Sequence, residues 1–243
     1  MKLQGKVALV TGGSEGIGLA AAQALVAEGA HVYITGRRQA QLDAACEQIG
    51  AAVTAVRADG GNLSDLDQLF AIIRERSGRL DVVVANAGMY EMQMLADVTE
   101  ASFDKAFAVN VRGMLFTVQK ALNMLSNGAA IVLLGSMGGS KGFAGFSVYN
   151  ATKASVRSFA RSWAAELKDR NIRVNVVSPG PVETPGFQAF ANDDMRHGLT
   201  GMIPLGRLGA PQEIAKAIIF LATEDSSFIT GVELAVDGGV TQL

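Results

Sequence analysis

A chain of 243 residues, 49% hydrophobic and 18% charged, can bury a large core, and parallel α/β folds of that length commonly form one domain. A formal net charge of −2 gives no general attraction to nucleic acid or an anionic membrane, and no apolar run approaches membrane-spanning length. The single cysteine, Cys46, excludes an intrachain disulfide, and its spacing from His31 and His197 resembles no metal site, so no metal is expected.

Met1–Lys6 runs directly into a strand-like segment, without the apolar region and cleavage site of a secretory leader, so a cytoplasmic protein is expected. Val7–Val10 is a short apolar run of the kind that forms a parallel strand covered on both faces. Thr11-Gly12-Gly13-Ser14-Glu15-Gly16-Ile17-Gly18 follows, then an alanine-rich helical stretch to Glu28, closed by Gly29. In a strand, glycine turn and helix of this kind, the glycines let backbone amides approach a pyrophosphate at the positive end of the helix, although an ordinary tight turn reads the same way.

His31 to Thr35 reads as a second buried strand, followed by Gly36-Arg37-Arg38 and a helix to Ile49 on which Cys46 takes a core-facing position. Two arginines at a helix N-terminus oppose its dipole, which favours acidic residues there, so an anion is expected to offset the cost. Folds that bind the 2′-hydroxyl of NAD usually place an acid at this strand end, whereas arginine suits the 2′-phosphate of NADP. Arg37 and Arg38 therefore predict NADP preference, the alternative being solvated surface charge.

Val53 to Ala58 is a third strand, and Asp59 at its end is either an acceptor for the adenine amino group or a loop cap. Leu66, Leu69, Phe70 and Ile73 mark the core face of the next helix. Asp81–Val84, a fourth strand, leads into Ala85-Asn86-Ala87-Gly88, whose small residues leave ligand space at a carboxyl-terminal sheet edge; Asn86 touches the ligand or braces the backbone. Phe103, Phe107, Val111, Met114, Leu115, Val118 and Leu122 trace a long helix with Asn110 beside the stripe, as a satisfied structural amide or part of a polar network.

Ala130–Leu134 is a fifth strand ending at Gly135-Ser136. Tyr149 and Lys153 then stand four residues apart, so a helix stacks them on one face. A neighbouring ammonium favours the phenolate and lowers the tyrosine pKa, making Tyr149 a candidate general acid/base; the alternative is a pair on a solvated face. Ile172 to Val177 is a sixth strand, closed by the rigid turn Ser178–Pro185. Periodicity fades from Gly186 to about Ile203, as in a lid loop. Ile214, Ile218 and Leu221 mark the last helix and Val232 to Val236 a seventh strand.

Taken together, Thr11-Gly12-x-x-x-Gly16-x-Gly18, Asn86-Ala87-Gly88, Asn110, Ser136, Tyr149-x-x-x-Lys153 and Pro179-Gly180 resemble the short-chain dehydrogenase/reductase family across the whole chain. The resemblance implies a single Rossmann domain, a doubly wound seven-stranded parallel sheet with helices on both faces, binding NAD(P) along the carboxyl edge. It implies a tetrad of Asn110, Ser136, Tyr149 and Lys153. Tyr149 would exchange a proton with the substrate oxygen, Ser136 would hold that oxygen, and Lys153 would depress the Tyr149 pKa and bind the nicotinamide ribose. Asn110 would fix a water joining Lys153 to solvent. Thr184 and the backbone near Val182, just beyond Pro179-Gly180, would hold the carboxamide. Glu15 departs from the pattern, since some NADP-preferring relatives carry a base there.

The leading expectation is an NADPH-dependent carbonyl reductase, reversible as a secondary-alcohol dehydrogenase. Met89, Tyr90, Met137, Phe143, Phe146, Phe187, Phe190 and Met202 predict an apolar pocket for bulky or aromatic ketones. The runner-up is a 3-oxoacyl-(acyl-carrier-protein) reductase, which needs basic residues for its acidic partner; Asn123–Gly128 lacks one, although Arg170 could serve. A sugar dehydrogenase fits the apolar loops less well, and a nonenzymatic nucleotide sensor would be expected to lose part of the tetrad. The resemblance also implies a homotetramer, with which the apolar ending Val232–Leu243 is compatible.

Overall fold

The sheet grows outward from Val7–Val10 (β1), whose four residues are all buried because strands run on both sides of it and helices on both faces. β1 pairs in parallel with His31–Gly36 (β2) and Leu80–Ala85 (β4). Val53–Arg57 (β3) lies beyond β2; Leu125–Leu134 (β5), Arg173–Pro179 (β6) and Glu233–Val236 (β7) follow beyond β4. The order is β3-β2-β1-β4-β5-β6-β7 with every pair parallel, and the computed structural model describes residues 1–243 as one doubly wound Rossmann domain.

The two-residue period of the strands sorts their side chains into two cores. Ala8, Val10, Val82, Val84 and Val132 pack under Gly16–Ala27 (α1), Gln39–Ile49 (α2) and Pro211–Ala222 (α9). Leu9, Val83, Ile131 and Leu133 pack under Leu63–Arg76 (α3), Met114–Ala121 (α5) and Ser147–Glu166 (α6). Each fully buried Val, Leu or Ile contributes roughly 1.5–3 kcal/mol, so the alternation also holds the register. Cys46 packs partly buried against the first core. No helix is long and apolar enough to cross a membrane.

Three elements differ from the sequence expectation. β5 begins five residues early, at Leu125, which pairs with Leu80 before the register shifts at Val82. Its first turn of chain, Ser126–Gly128, is largely exposed, so no apolar run announces it. The long helix is divided: Glu100–Phe107 (α4) passes into a π-helical turn at Ala108–Gly113 and then into α5. The aperiodic stretch is not a bare loop but Pro185–Phe190 (α7) and Asp193–Gly201 (α8). Thr184 caps α7 with Pro185 at its first position, and Asn192 caps α8 with Asp193 and Asp194 in its first turn. Capping marks these helices where periodicity does not, because both are short and half-exposed.

Candidate active site

The glycine turn is held from beneath by the loop that leaves β4. Thr11 Oγ1 accepts from the amides of Asn86 and Ala87 at 3.1 and 3.0 Å, and Asn86 Nδ2 donates to the carbonyls of Thr11 and Gly12 at 2.9 and 3.0 Å. Asn86 therefore braces the backbone. Gly12 and Gly16 take left-handed φ values of +64° and +56°, which other residues reach only under strain. A Cβ on Gly18 would stand 2.1 Å from the Gly12 carbonyl oxygen, so α1 starts closer to the turn than any side chain allows.

A polar cleft of about 310 Å³ opens above this turn, at the carboxyl ends of the strands where their order reverses between β1 and β4. All of the sequence-assigned cofactor residues from Gly12 to Gly88 line it, together with Thr184. Besides Asn86, three of them already have side-chain partners within the chain. Asp59 Oδ1 accepts from the Gly61 amide at 2.9 Å and so caps its own loop. Arg38, the residue preceding α2, is ion-paired to Glu15. Arg37 is exposed beside them.

The cleft continues into a second one of about 470 Å³, with Ile17, Asn86, Gly88, Met89 and Thr184 common to both. Ser136, Tyr149, Lys153, Pro179, Gly180 and Val182 line this second part. Lys153 is 5% exposed; its Nζ donates to the Leu134 carbonyl at 2.8 Å and lies 5.9 Å from the centre of the Tyr149 ring. Burial lowers the Lys153 pKa to about 8. Burial likewise pushes the Tyr149 phenol up, against a downward pull from the Ser136 hydroxyl. The direction is opposite to the one the Tyr149–Lys153 spacing suggests: desolvation dominates, Lys153 is not among the groups that shift the phenol, and the phenol is a protonated donor at neutral pH.

Asn110 lies outside both clefts, fully buried in the π-helical turn. Its Oδ1 accepts from the Met89 amide at 2.8 Å, and its Nδ2 donates to the Met89 carbonyl at 2.8 Å and to Thr152 Oγ1 at 3.0 Å. Thr152 Oγ1 in turn donates to the Tyr149 carbonyl at 2.7 Å. One amide thus ties the loop after β4 to the helix carrying Tyr149. The widened turn also brings Gly113 against Gly60, whose carbonyl oxygen would stand 2.3 Å from a Gly113 Cβ.

Four rings, Tyr149 among them, meet edge-on in a closed set. Tyr90 and Phe146 meet the Tyr149 ring edge-on at 6.1 and 6.3 Å, and Phe190 closes the set by meeting those two at 5.2 and 6.0 Å. Met89, Met137, Phe143 and Phe187 join them on the cleft wall, as expected from the sequence. Met202 does not: it ends α8 on the outside and is 46% exposed. Sequence reasoning missed Met92, Met195 and Leu199; the last two face the cleft from α8, and their four-residue spacing was the available signal. It also missed Asn150, whose buried Oδ1 has no hydrogen-bond partner and to which nothing in the local pattern pointed.

Two further side chains are already engaged. Thr184 Oγ1 accepts from the Phe187 amide at 3.1 Å as the α7 cap. Arg170, expected as a base that an acidic carrier protein could meet, donates to the carbonyls of Leu122 and Leu125 and closes the start of β5.

A family profile described as enoyl-(acyl carrier protein) reductase matches residues 12–241. The chain is 41% identical over 244 residues to oxidoreductase asL5 of Sarocladium schorii, covering 100% of this chain and 98% of that one. It is 36% identical to an NADP-dependent (R)-specific alcohol dehydrogenase of Lentilactobacillus kefiri, with 99% and 98% coverage. The solved short-chain dehydrogenase/reductase of Serratia marcescens BCRC 10948 superposes with a TM-score of 0.95 at 33% identity, over 99% of this chain and 100% of that one.

Proposed function

The chain belongs to the short-chain dehydrogenase/reductase family of oxidoreductases, and from that membership we propose an NADP(H)-dependent enzyme that reversibly reduces bulky or aromatic ketones to secondary alcohols. The observation that carries the proposal is the meeting of the Tyr149 phenol, the Ser136 hydroxyl and the Lys153 ammonium in an apolar cleft contiguous with a glycine-lined polar one.

The residues present fit a dinucleotide: glycines 12, 16 and 18 leave open a turn that a Cβ would fill, at the start of an α-helix. Arg37 and Arg38, which line the same cleft as Asp59, would hold the adenosine ribose and its 2′-phosphate. Pro179, Gly180, Val182 and Thr184 would hold the nicotinamide end. Bound there, the cofactor supplies or accepts the hydride at the carbonyl carbon.

Ser136 orients the substrate oxygen, and Tyr149 donates its proton to that oxygen as the carbon–oxygen double bond becomes single. The buried Lys153 charge stabilises the phenolate left behind. Asn110 acts through Met89 and Thr152, fixing the loop and helix that present these groups. Residues 186–204 form the substrate-binding segment, with α8 latched to the turn between β6 and α7 by the 2.6 Å ion pair between Arg196 and Glu183.

A panel of ketones followed by nicotinamide absorbance tests the substrate class: turnover of aryl ketones is expected, and activity confined to small polar sugars would refute it. Arg37→Ala is expected to raise the KM for NADPH by about tenfold and that for NADH less than about twofold, from loss of one charge-assisted phosphate contact. Equal changes for both cofactors would remove the argument.

Reduction of 3-oxoacyl thioesters is the second reading, favoured by 35% identity to the 3-oxoacyl-[acyl-carrier-protein] reductase of Thermotoga maritima over 99% of both chains. The engagement of Arg170 counts against a carrier-protein docking site. Self-association into the homotetramer implied by the family resemblance would bury the wholly exposed Phe228 or the stacked Phe103–Phe107 pair, of which Phe103 is 43% exposed.

A further inference from the structure

Two arginines at the start of α2 lack any acid in that helix's own first turn, and the chain supplies the missing anion from elsewhere. Glu15 stands in extended backbone at the start of α1, with its carboxylate directed to the guanidinium of Arg38 rather than to the helix amides it precedes. The pair joins the glycine turn to the exit of β2 across one wall of the polar cleft, and both partners face solvent, at 39% and 63% exposure. Behind them Gly36 carries no side chain, and Ser14 Oγ lies 2.9 Å from where its Cβ would be. Two positive charges and one negative one therefore share this end of the cleft.

We propose that Glu15 is a specificity-determining residue: an internal counter-ion that occupies Arg38 in place of the 2′-phosphate and narrows the discrimination between NADP and NAD. The inference rests on the NADP reading above. A phosphate dianion entering beside Arg37 draws on Arg38 only by displacing Glu15, and it meets the repulsion of that carboxylate at close range. A ribose bearing a free 2′-hydroxyl meets neither cost. Replacing the carboxylate by an amide leaves the side-chain shape and frees Arg38.

Calorimetric binding of adenosine 2′,5′-bisphosphate and of 5′-AMP to the full chain tests this without turnover. Glu15→Gln is expected to tighten the bisphosphate about tenfold while 5′-AMP stays within about twofold, with the gain shrinking as salt screens it. In an Arg38→Ala background the same substitution is expected to lose most of its effect. Equal tightening of both nucleotides would mean a general effect at the α1 terminus and would overturn the proposal. Weaker 5′-AMP binding in Glu15→Gln would overturn it too, since Glu15 would then be holding the ribose.

The two layers of inference separate in the wild type. A chain that binds both nucleotides equally, and gains bisphosphate selectivity only as Glu15→Gln, removes the NADP preference and leaves the role of Glu15 standing. A wild-type preference unmoved by Glu15→Gln does the reverse. A bisphosphate that binds neither form overturns both.

Discussion

Tyr149→Phe should lower ketone-dependent oxidation of NADPH by roughly a thousandfold, the range of a single positioned proton donor, while leaving nucleotide binding intact. The hydroxyl can be removed without disturbing the site because the ring is held by its edges, against Tyr90 and Phe146, and its backbone carbonyl by Thr152. Turnover surviving in this variant would mean that another group is the acid.

The pH dependence follows from the two shifts. Burial keeps the Tyr149 phenol protonated through the neutral range, so reduction should not slow as pH falls toward 6 for lack of a proton. Reduction leaves a phenolate that the Lys153 ammonium stabilises, and that ammonium is lost as pH rises through about 8. The kcat/KM for reduction should therefore decline above about 8. A reductive rate that climbs with pH across this window would sink the assignment of Lys153.

Gly18→Ala is the second large effect, and it acts on the fold and the site together. The added Cβ would fall 2.1 Å from the Gly12 carbonyl oxygen and 2.6 Å from Asn86 Nδ2, both fixed by the brace described above. No flexible side chain can yield there; α1 or the turn must move. We expect a loss of about 2–3 kcal/mol, lowering Tm by roughly 4–10 °C, and nucleotide binding weakened by about a hundredfold through displacement of the turn. Gly142→Ala is the control, since nothing lies within 4 Å of a Cβ there and its φ is ordinary. Calorimetric melting of both variants checks it, and equal Tm values would show the clash to be relieved at no cost.

Much of the architecture was legible because its causes are local. Short apolar runs marked the central strands β1 and β4 and the second half of β5, since a strand buried on both faces has few polar positions to interrupt it. The glycine turn and the four-residue spacing of Tyr149 and Lys153 were legible for the same reason: backbone geometry places neighbours in sequence. The helices α7 and α8 carried a readable signal in Thr184-Pro185 and Asn192-Asp193-Asp194, yet short half-exposed helices give periodicity too little length to register.

What tertiary structure alone decided involves partners distant in sequence. Glu15 and Arg38 are 23 residues apart, and Asn110 and Thr152 are 42 apart; no spacing rule connects them, and packing alone brings them together. The direction of the Tyr149 shift belongs to the same class. Sequence places a cation one helical turn away and so predicts a lowered pKa, but desolvation depends on how many elements close over the phenol. Here Tyr90 and Phe146, from separate segments, pack on the Tyr149 ring, and burial raises its pKa. Sequence by itself determined the sheet, the glycine turn and the residue types of the site, because those depend on local backbone periods. The charge state and partners of those residues were left to the tertiary structure, because burial is a property of the assembled fold.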